Sequence, residues 1–171
     1  MVTRRKVLAA GGGTALGALL FHAPVSAAEP TLGDALKRSR LVYISPIRSD
    51  GKESHCHSEV LFVADGDDVY VCSRAAAWRT RAVLDHGLNQ ARLWVGEVGR
   101  WQAGNMDYAS LPSIHAMVTH ISDPDEHARV LVLFADKYPD RINEDRTVFR
   151  DGLKDGTWVM FRYARLAVER A

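Results

Sequence analysis

The chain has 171 residues, of which 47% are hydrophobic and 25% are charged, and its formal net charge is +1. These values are typical of a globular domain that is long enough to bury a core of its own. The near balance of charge argues against general binding to nucleic acid, which needs a basic excess.

Residues 1–28 are predicted to be a targeting segment and not part of the fold. The segment opens with Arg4 and Arg5, a weakly apolar stretch runs to about Phe21, and Val25–Ala28 supply small residues for cleavage. This pattern resembles a twin-arginine export signal and predicts a periplasmic or secreted protein that meets the membrane only through this signal. As the resemblance implies, that route carries folded proteins, often with a cofactor already bound.

The alternative for this segment is a membrane-spanning helix over residues 7–25. The stretch is barely long enough to span, and its five glycine and proline residues weaken that interpretation. The export signal is therefore favoured, and the mature domain is expected to cover residues 29–171.

The hydrophobic pattern of the mature region predicts strands and helices in one domain. In chain order, the predicted elements are a short helix from a Thr31 cap to Lys37, strands over 39–47, 53–64 and 69–74, a helix over 75–87, a strand over 90–98, a long loop over 99–112, a strand over 114–121, a helix from 122–126 to Pro139 with Tyr138 on its core face, a helix over 143–153 and a strand over 157–168. The order predicts an antiparallel sheet with helices beside it.

The Asp65-Gly66 pair predicts a tight hairpin in which paired residue numbers sum to about 133. Cys72 would then face Leu61, and Cys56 would lie about 16 Å further along the strand. A disulfide cannot cover that distance, so two unbridged thiols are expected.

The strand over 53–64 begins with polar side chains on a face that becomes apolar later. His55 and His57 share that face with Glu59, so they are candidate ligands of a metal or haem. A metal would need a further ligand, for which His115 and His120 are candidates. The alternative, histidines that are half-exposed and hydrogen-bonded to neighbours, stays open, and no metal site is assigned.

A basic cluster follows the third predicted strand. Arg74 lies at the end of this strand, and Arg79 and Arg81 lie in the helix after it. A phosphate dianion needs several charge-assisted donors, which guanidinium groups supply in pairs. The cluster is therefore the best candidate for an anion site, and a phosphate-bearing cofactor is expected there. A merely solvated basic face is the alternative.

Large aromatic side chains are the other candidates for a cofactor site. The loop over 99–112 is too apolar to be only solvated, which suggests that it covers the site or a subunit contact. Four tryptophans are large enough to flank a planar cofactor, although core packing is the default for the second and fourth: Trp78, Trp94, Trp101 and Trp158.

The order of these elements is similar to that of the pyridoxamine-phosphate oxidase-like split β-barrel family. The likeness covers residues 32–168 and rests on a strand, an Asp-Gly-Lys turn, a second strand, Ala64-Asp65-Gly66, then Val69–Arg74 and a basic helix. It implies an α+β, mainly β fold: a split antiparallel β-barrel with flanking helices, over residues 29–171. It also implies a homodimer with flavin at the subunit interface.

The resemblance also implies roles for individual residues. The FMN phosphate would be held by the corner after the third strand, and the flavin ring would lie along the backbone of the second strand. The implied cofactor-binding residues are His57, Ser58, Glu59, Val60, Ser73, Arg74, Arg79 and Arg81. The chain departs from the family over residues 54–59, where polar side chains replace small or apolar ones. Deazaflavin and haem are therefore alternatives to FMN.

The expected function is that of an exported FMN-dependent oxidoreductase acting on an unknown small molecule. His57 is a candidate donor to substrate or flavin, and no catalytic residue is assigned. The alternative is a periplasmic haem- or metal-binding module without catalysis, in which His55 and His57 are the ligands. A domain that keeps the fold without a cofactor is the third possibility.

Overall fold

A computed structural model of the protein describes residues 31–54, 57–100, 107–140 and 142–166. The helices are α1 (Leu32–Arg38), α2 (Trp78–Leu84), α3 (Pro124–Lys137) and α4 (Ile142–Asp155), with a 3-10 helix over Asp107–Ser110. The strands are β1 (Leu41–Pro46), β2 (Ser58–Leu61), β3 (Val63–Asp65), β4 (Asp68–Arg74), β5 (Gln90–Val95), β6 (Ser113–Ile121) and β7 (Trp158–Arg165).

The seven strands form one antiparallel sheet in the order β2-β1-β5-β6-β7-β4-β3. The two outermost strands, β2 and β3, are consecutive in sequence, and only Phe62 separates them. The sheet therefore curls round into a nearly closed barrel with helices beside it. This confirms the predicted α+β split-barrel fold.

The barrel interior is filled by alternate residues of the strands. Val42 and Ile44 of β1 and Leu93 of β5 are fully buried there, and the ring of Tyr163 joins them from β7. Burying one such aliphatic side chain contributes roughly 1.5–3 kcal/mol. At the end where β1 begins, α1 adds Leu36 to the same core. The α1 end of the barrel is therefore closed by its own apolar packing.

A second core lies outside the barrel, under α3 and α4. Asp123 caps α3 by accepting a hydrogen bond from the backbone N–H of Asp125, and Pro124 starts the helix. The apolar face of α3 places Phe134 against Met160 of β7 in this second core. The two long helices thus cover the outer face of β4 and β7.

The hairpin register follows the prediction, because Val63 pairs with Tyr70 and Asp65 with Asp68. The prediction of one strand over 53–64 was wrong, since the strand breaks at Phe62 and β2 pairs with β1 instead. Cys72 consequently pairs with Met160 and not with Leu61.

Other predicted features agree with the structure in part. Cys72 is a free, buried thiol, whereas Cys56 lies outside the described residues. The helix expected over 75–87 covers only Trp78–Leu84, since residues 75–77 form a turn. Within the described ranges, no helix has both the length and the apolar character needed to cross a membrane. The predicted export segment, residues 1–28, lies outside those ranges.

Candidate functional site

The split in the barrel lies between β2 and the last part of β4. In the described chain β2 pairs only with β1, and Val71–Arg74 of β4 pairs only with β7. Each of these two segments therefore presents one edge to the gap without a strand beside it. Since β2 begins and β4 ends at the same end of the barrel, the two predicted sets, His57–Val60 and Ser73–Arg74, border the same gap.

The corner between β4 and α2 is locked by two buried hydroxyl groups. The hydroxyl of Thr80 donates to the carbonyl of Arg74 at 2.8 Å, and the hydroxyls of Ser73 and Thr80 lie 2.7 Å apart. Both side chains are fully buried. The Ser73 hydroxyl is thus engaged within the corner that it helps to shape.

Arg74 lies on the outer face of the barrel. Its side chain is exposed, and its guanidinium lies 5.4 Å from the ring centroid of Trp158, the residue that it pairs with on β7. Side chains alternate along a strand, so Arg74 and its neighbour Ser73 point to opposite faces of β4.

Arg79 is the sheltered cation of this corner. Its side chain is partly buried, and among the described residues its Nε has no hydrogen-bond partner. Burial lowers the pKa of Arg79, and burial likewise raises the pKa of Tyr163, whose ring lies in the barrel core. The charge of Arg79 acts on Tyr163 in the opposite sense, so the two side chains lie within electrostatic reach of each other.

Arg81 points away from Arg79. The two residues are separated by about 200° around the helix axis, and the side chain of Arg81 is exposed. In a single chain the structure therefore does not bring the three guanidinium groups to one point. Arg79 alone lies sheltered near the split, with Arg74 on the outer face beside it.

The predicted ring-binding residues lie where β2 begins. Ser58 and Glu59 are partly buried and pair with β1, while Val60 is buried in the barrel core. The His57 ring packs 4.8 Å from the ring of Tyr108, and its Nε2 lies 3.1 Å from the Tyr108 hydroxyl. The His57 ring thus packs on the outer face of the sheet, over β1 and β5, beside the start of β2.

His57 belongs to an aromatic cluster on this outer face, whose other members are Tyr43, Trp94 and Tyr108. Trp94 packs edge-on against Tyr108 with ring centroids 4.9 Å apart, and Tyr43 stacks on Tyr108 at 6.1 Å. The Tyr43 hydroxyl donates to Gly99 O at 2.6 Å and accepts from the Val98 N–H at 3.1 Å, which fixes the segment after β5.

Sequence reasoning placed Tyr108 in a loop expected to cover the site or a subunit contact, but it did not connect Tyr43 with the site. Tyr43 faces Trp94 across β1 and β5, a pairing that only the structure shows. The default interpretation of Trp94 and Trp158 as packing residues is confirmed, whereas Trp78 is exposed. Trp101 lies outside the described residues.

The histidines do not assemble a metal site within the described residues. There, no group of three or more His, Cys, Asp or Glu side chains is placed to hold an ion. His115 is exposed and pairs with Arg92, and His120 packs its ring 5.9 Å from that of Phe161. His55 lies outside the described residues, so its predicted role as a ligand stays a prediction.

The sequence matches no protein-family model and no curated protein. Solved structures do share its fold. HutZ, the haem storage protein of Vibrio cholerae, superposes with a TM-score of 0.53 at 11% identity, over 79% of this chain and 87% of HutZ. A candidate pyridoxamine 5'-phosphate oxidase from Listeria innocua gives 0.51 at 12% identity, over 78% and 89%.

A candidate 5-nitroimidazole antibiotic resistance protein from Bacteroides thetaiotaomicron gives a TM-score of 0.54 at 10% identity, over 79% of this chain and 78% of that protein. These structural neighbours are pyridoxamine 5'-phosphate oxidase-like split-barrel proteins. At such low identity the likeness is one of fold.

Proposed function

We propose that the protein binds FMN at the split of the barrel and acts as an oxidoreductase on a small molecule. The observation that supports this best is Arg79, a desolvated cation whose Nε has no hydrogen-bond partner among the described residues. A phosphate group would supply both the missing acceptor and the opposite charge. Arg79 therefore anchors the phosphate in this proposal.

The other residues of the corner have different roles. The Ser73 hydroxyl already bonds within the corner, and Arg81 points away from Arg79, so neither is assigned a phosphate contact. Arg74 and Arg81 instead add positive charge near the split, which raises the local concentration of an anionic ligand.

The flavin ring would lie along the edge of β2, whose backbone faces the gap. A bound flavin supplies the hydride chemistry. The chain's own residues would orient the ring and exclude water, and the hydrogen bond between His57 Nε2 and the Tyr108 hydroxyl fixes the residue that precedes β2. The split-barrel family has small or apolar residues where this chain has polar ones over residues 54–59. Deazaflavin is therefore titrated as an alternative cofactor.

The test is a titration of the purified protein with FMN, followed by the absorbance of the bound flavin. We expect Arg79→Met to weaken FMN binding at least tenfold, equivalent to about 1.4 kcal/mol. Arg81→Met is the matched control, because it removes the same charge from the same helix, and its affinity should stay within about twofold. Circular dichroism checks that both variants fold.

Two results would overturn the proposal. One is a colourless protein that takes up no FMN. The other is an equal loss of affinity in the Arg79 and Arg81 variants, which would indicate general electrostatic attraction and no phosphate anchor.

Export and dimerisation belong to the same proposal. The paired Arg4 and Arg5 support export, and replacing both with lysine should retain the protein in the cytoplasm without changing its fold. Sedimentation of the mature protein tests the homodimer. If the protein is monomeric and still binds FMN, the homodimer is wrong but the proposed cofactor site stands.

A haem-binding module without catalysis is the second candidate. The similarity to the structure of the haem storage protein HutZ favours it, together with the position of His57 beside two aromatic rings. A Soret band on haem titration that is lost in His57→Ala but kept in His115→Ala would support this candidate. A protein that binds neither haem nor FMN would be a domain that keeps the fold without a cofactor.

A further inference from the structure

A groove of about 520 Å³ lies outside the α1 end of the barrel. It is bounded by α1, the β3–β4 turn, the last turn of α3 and the end of β7. Its apolar walls come from Leu32, Leu36, Val63 and Leu133. A volume of this size is typical of a site for a small organic molecule. The groove is at the opposite end of the barrel from Arg79, so it does not belong to the proposed flavin site.

The charged groups of the groove are mostly cationic. Lys37, Lys137 and Arg165 line it together with two carboxylates, Asp67 and Asp136. Among the described residues, none of these five groups takes part in a salt bridge. The groove therefore combines apolar walls with an excess of one positive charge.

The amine of Lys137 contacts the end of the barrel core. It donates to the carbonyl of Leu36 at 3.2 Å and lies 3.4 Å from the ring centroid of Phe62. Burial lowers the pKa of this amine to about 8, partly offset by the charge of Glu97. The protein thus holds an ammonium group in a partly dry position, where an anion would stabilise it.

We propose that this groove binds a small organic anion with an apolar body. The carboxylate or phosphate of the ligand contacts Lys137, with Lys37 and Arg165 beside it, and the apolar body lies against the leucine and valine side chains. This combination selects an anion over a neutral molecule of the same shape, because only the anion neutralises the ammonium group. The inference does not depend on flavin binding.

The probe for the experiment is 1-naphthoate, and 1-naphthamide is its neutral control. Amide chemical shifts are recorded in ¹⁵N-labelled protein as each compound is added. We expect 1-naphthoate to perturb groove residues such as Gly33, Gly66 and Leu133, and to bind at least tenfold more tightly than the amide. Shifts confined to other surfaces, or equal binding of the two compounds, would overturn the proposal.

Substitutions identify the anchoring cation. Lys137→Met keeps the length of the side chain, and it should weaken 1-naphthoate binding by five- to tenfold. Lys37→Met should have a smaller effect, about two- to threefold, and it keeps the proposal testable if the Lys137 variant fails to fold. Lys52→Met, an exposed lysine on a turn away from the groove, is the control and should change nothing. Unchanged affinity in both groove variants would overturn the proposal.

The pH dependence is a further readout. Affinity should fall between pH 7 and 9 in the unchanged protein, as Lys137 loses its proton, and should stay flat in Lys137→Met. The charge of Glu97 acts on this amine, and the other charged groups that line the groove are Lys37, Asp67, Asp136 and Arg165. The variant retains all of them, so the difference between the two profiles reports on Lys137 alone. Parallel profiles would contradict the proposed contact.

Discussion

The hydroxyl group of Tyr138 forms hydrogen bonds with the backbone at Phe62, where β2 ends and β3 begins. It accepts a hydrogen bond from the backbone N–H of Phe62 at 3.0 Å, and its proton goes to the carbonyl of Phe62 at 2.6 Å or that of Arg40 at 2.9 Å. Phe62 is fully buried and belongs to neither β2 nor β3, so its backbone groups lack strand partners. Tyr138 therefore satisfies polar groups that would otherwise be costly to bury.

Tyr138→Phe should lower the free energy of unfolding by about 1–3 kcal/mol, because it keeps the ring but leaves the Phe62 backbone without this partner. Tyr70→Phe is the control, since within the described ranges its hydroxyl accepts only from the exposed Arg129, and it should cost less than about 1 kcal/mol. Urea denaturation measures both. Equal losses would show that the Phe62 backbone does not depend on Tyr138.

At this scale the sequence predicts local contacts better than distant ones. Thr31 caps α1 as its spacing to Asp34 indicates, since both partners lie within one turn. Tyr138 is correctly placed on the core face of α3, but its partner is 76 residues away. No local pattern identifies which backbone group a distant hydroxyl will meet.

At the scale of elements, the contact between α4 and β7 depends on Gly152. A Cβ at this position would overlap Cδ1 of Trp158 and lie 2.9 Å from its Cγ. The indole cannot move away easily, because it packs edge-on against Phe149 with ring centroids 4.8 Å apart. The missing side chain thus allows α4 to approach the sheet.

Gly152→Ala should destabilise the protein by about 1–3 kcal/mol, because the overlap outweighs the gain in helix propensity. Gly33→Ala in α1 is the matched control: the nearest atom to its Cβ is the Thr31 hydroxyl oxygen at 4.0 Å. That change should raise stability by up to about 1 kcal/mol. Thermal unfolding compares the two variants. A Gly152 variant as stable as the Gly33 variant would contradict the close packing of α4.

The ends of elements follow tertiary contacts that the sequence does not reveal. α2 begins only at Trp78, because Ala75 donates its N–H to the carbonyl of Thr157 and the next residues form a turn. The strand over 53–64 breaks at Phe62 although the alternation of its side chains continues, with Val60 and Phe62 in the barrel core and Leu61 against the second core. Periodicity therefore predicted which way side chains face but not where pairing changes.

At the scale of the molecule, closure of the barrel determines which residues border the candidate site and which side of each strand faces the interior. The predicted hairpin register correctly places β3 beside β4, and the order of elements places the start of β2 and the end of β4 at one gap. Because side chains alternate along a strand, Ser73 and Arg74 face opposite sides of β4. Which side is the interior depends on closure, so the separation of Arg74 from Arg79 could not be predicted.

Stability as a function of pH reflects two buried groups with opposite effects. Burial lowers the pKa of Lys137 from 10.5 to about 8, so between these values the unfolded chain holds a proton that the folded chain has lost. Stability therefore rises with pH in this range. Burial raises the pKa of Cys72 from 9.0 to about 12, so the folded thiol keeps its proton while the unfolded one loses it. This contribution lowers stability above pH 9.

Lys137→Met isolates the first of these contributions. From pH 8 to 10 the urea midpoint of the unchanged protein should rise relative to that of the variant. Only the unchanged protein has a buried amine that becomes neutral in this range. Above pH 9 the urea midpoint of the unchanged protein should fall relative to that of Cys72→Ala, because only the unchanged protein has a thiol that ionises more readily when unfolded. Lys52→Met should parallel the unchanged protein throughout. If the Lys137 variant also parallels the unchanged protein, the Lys137 amine is solvated in the folded state. The proposed anion site would then lack its partly buried ammonium group.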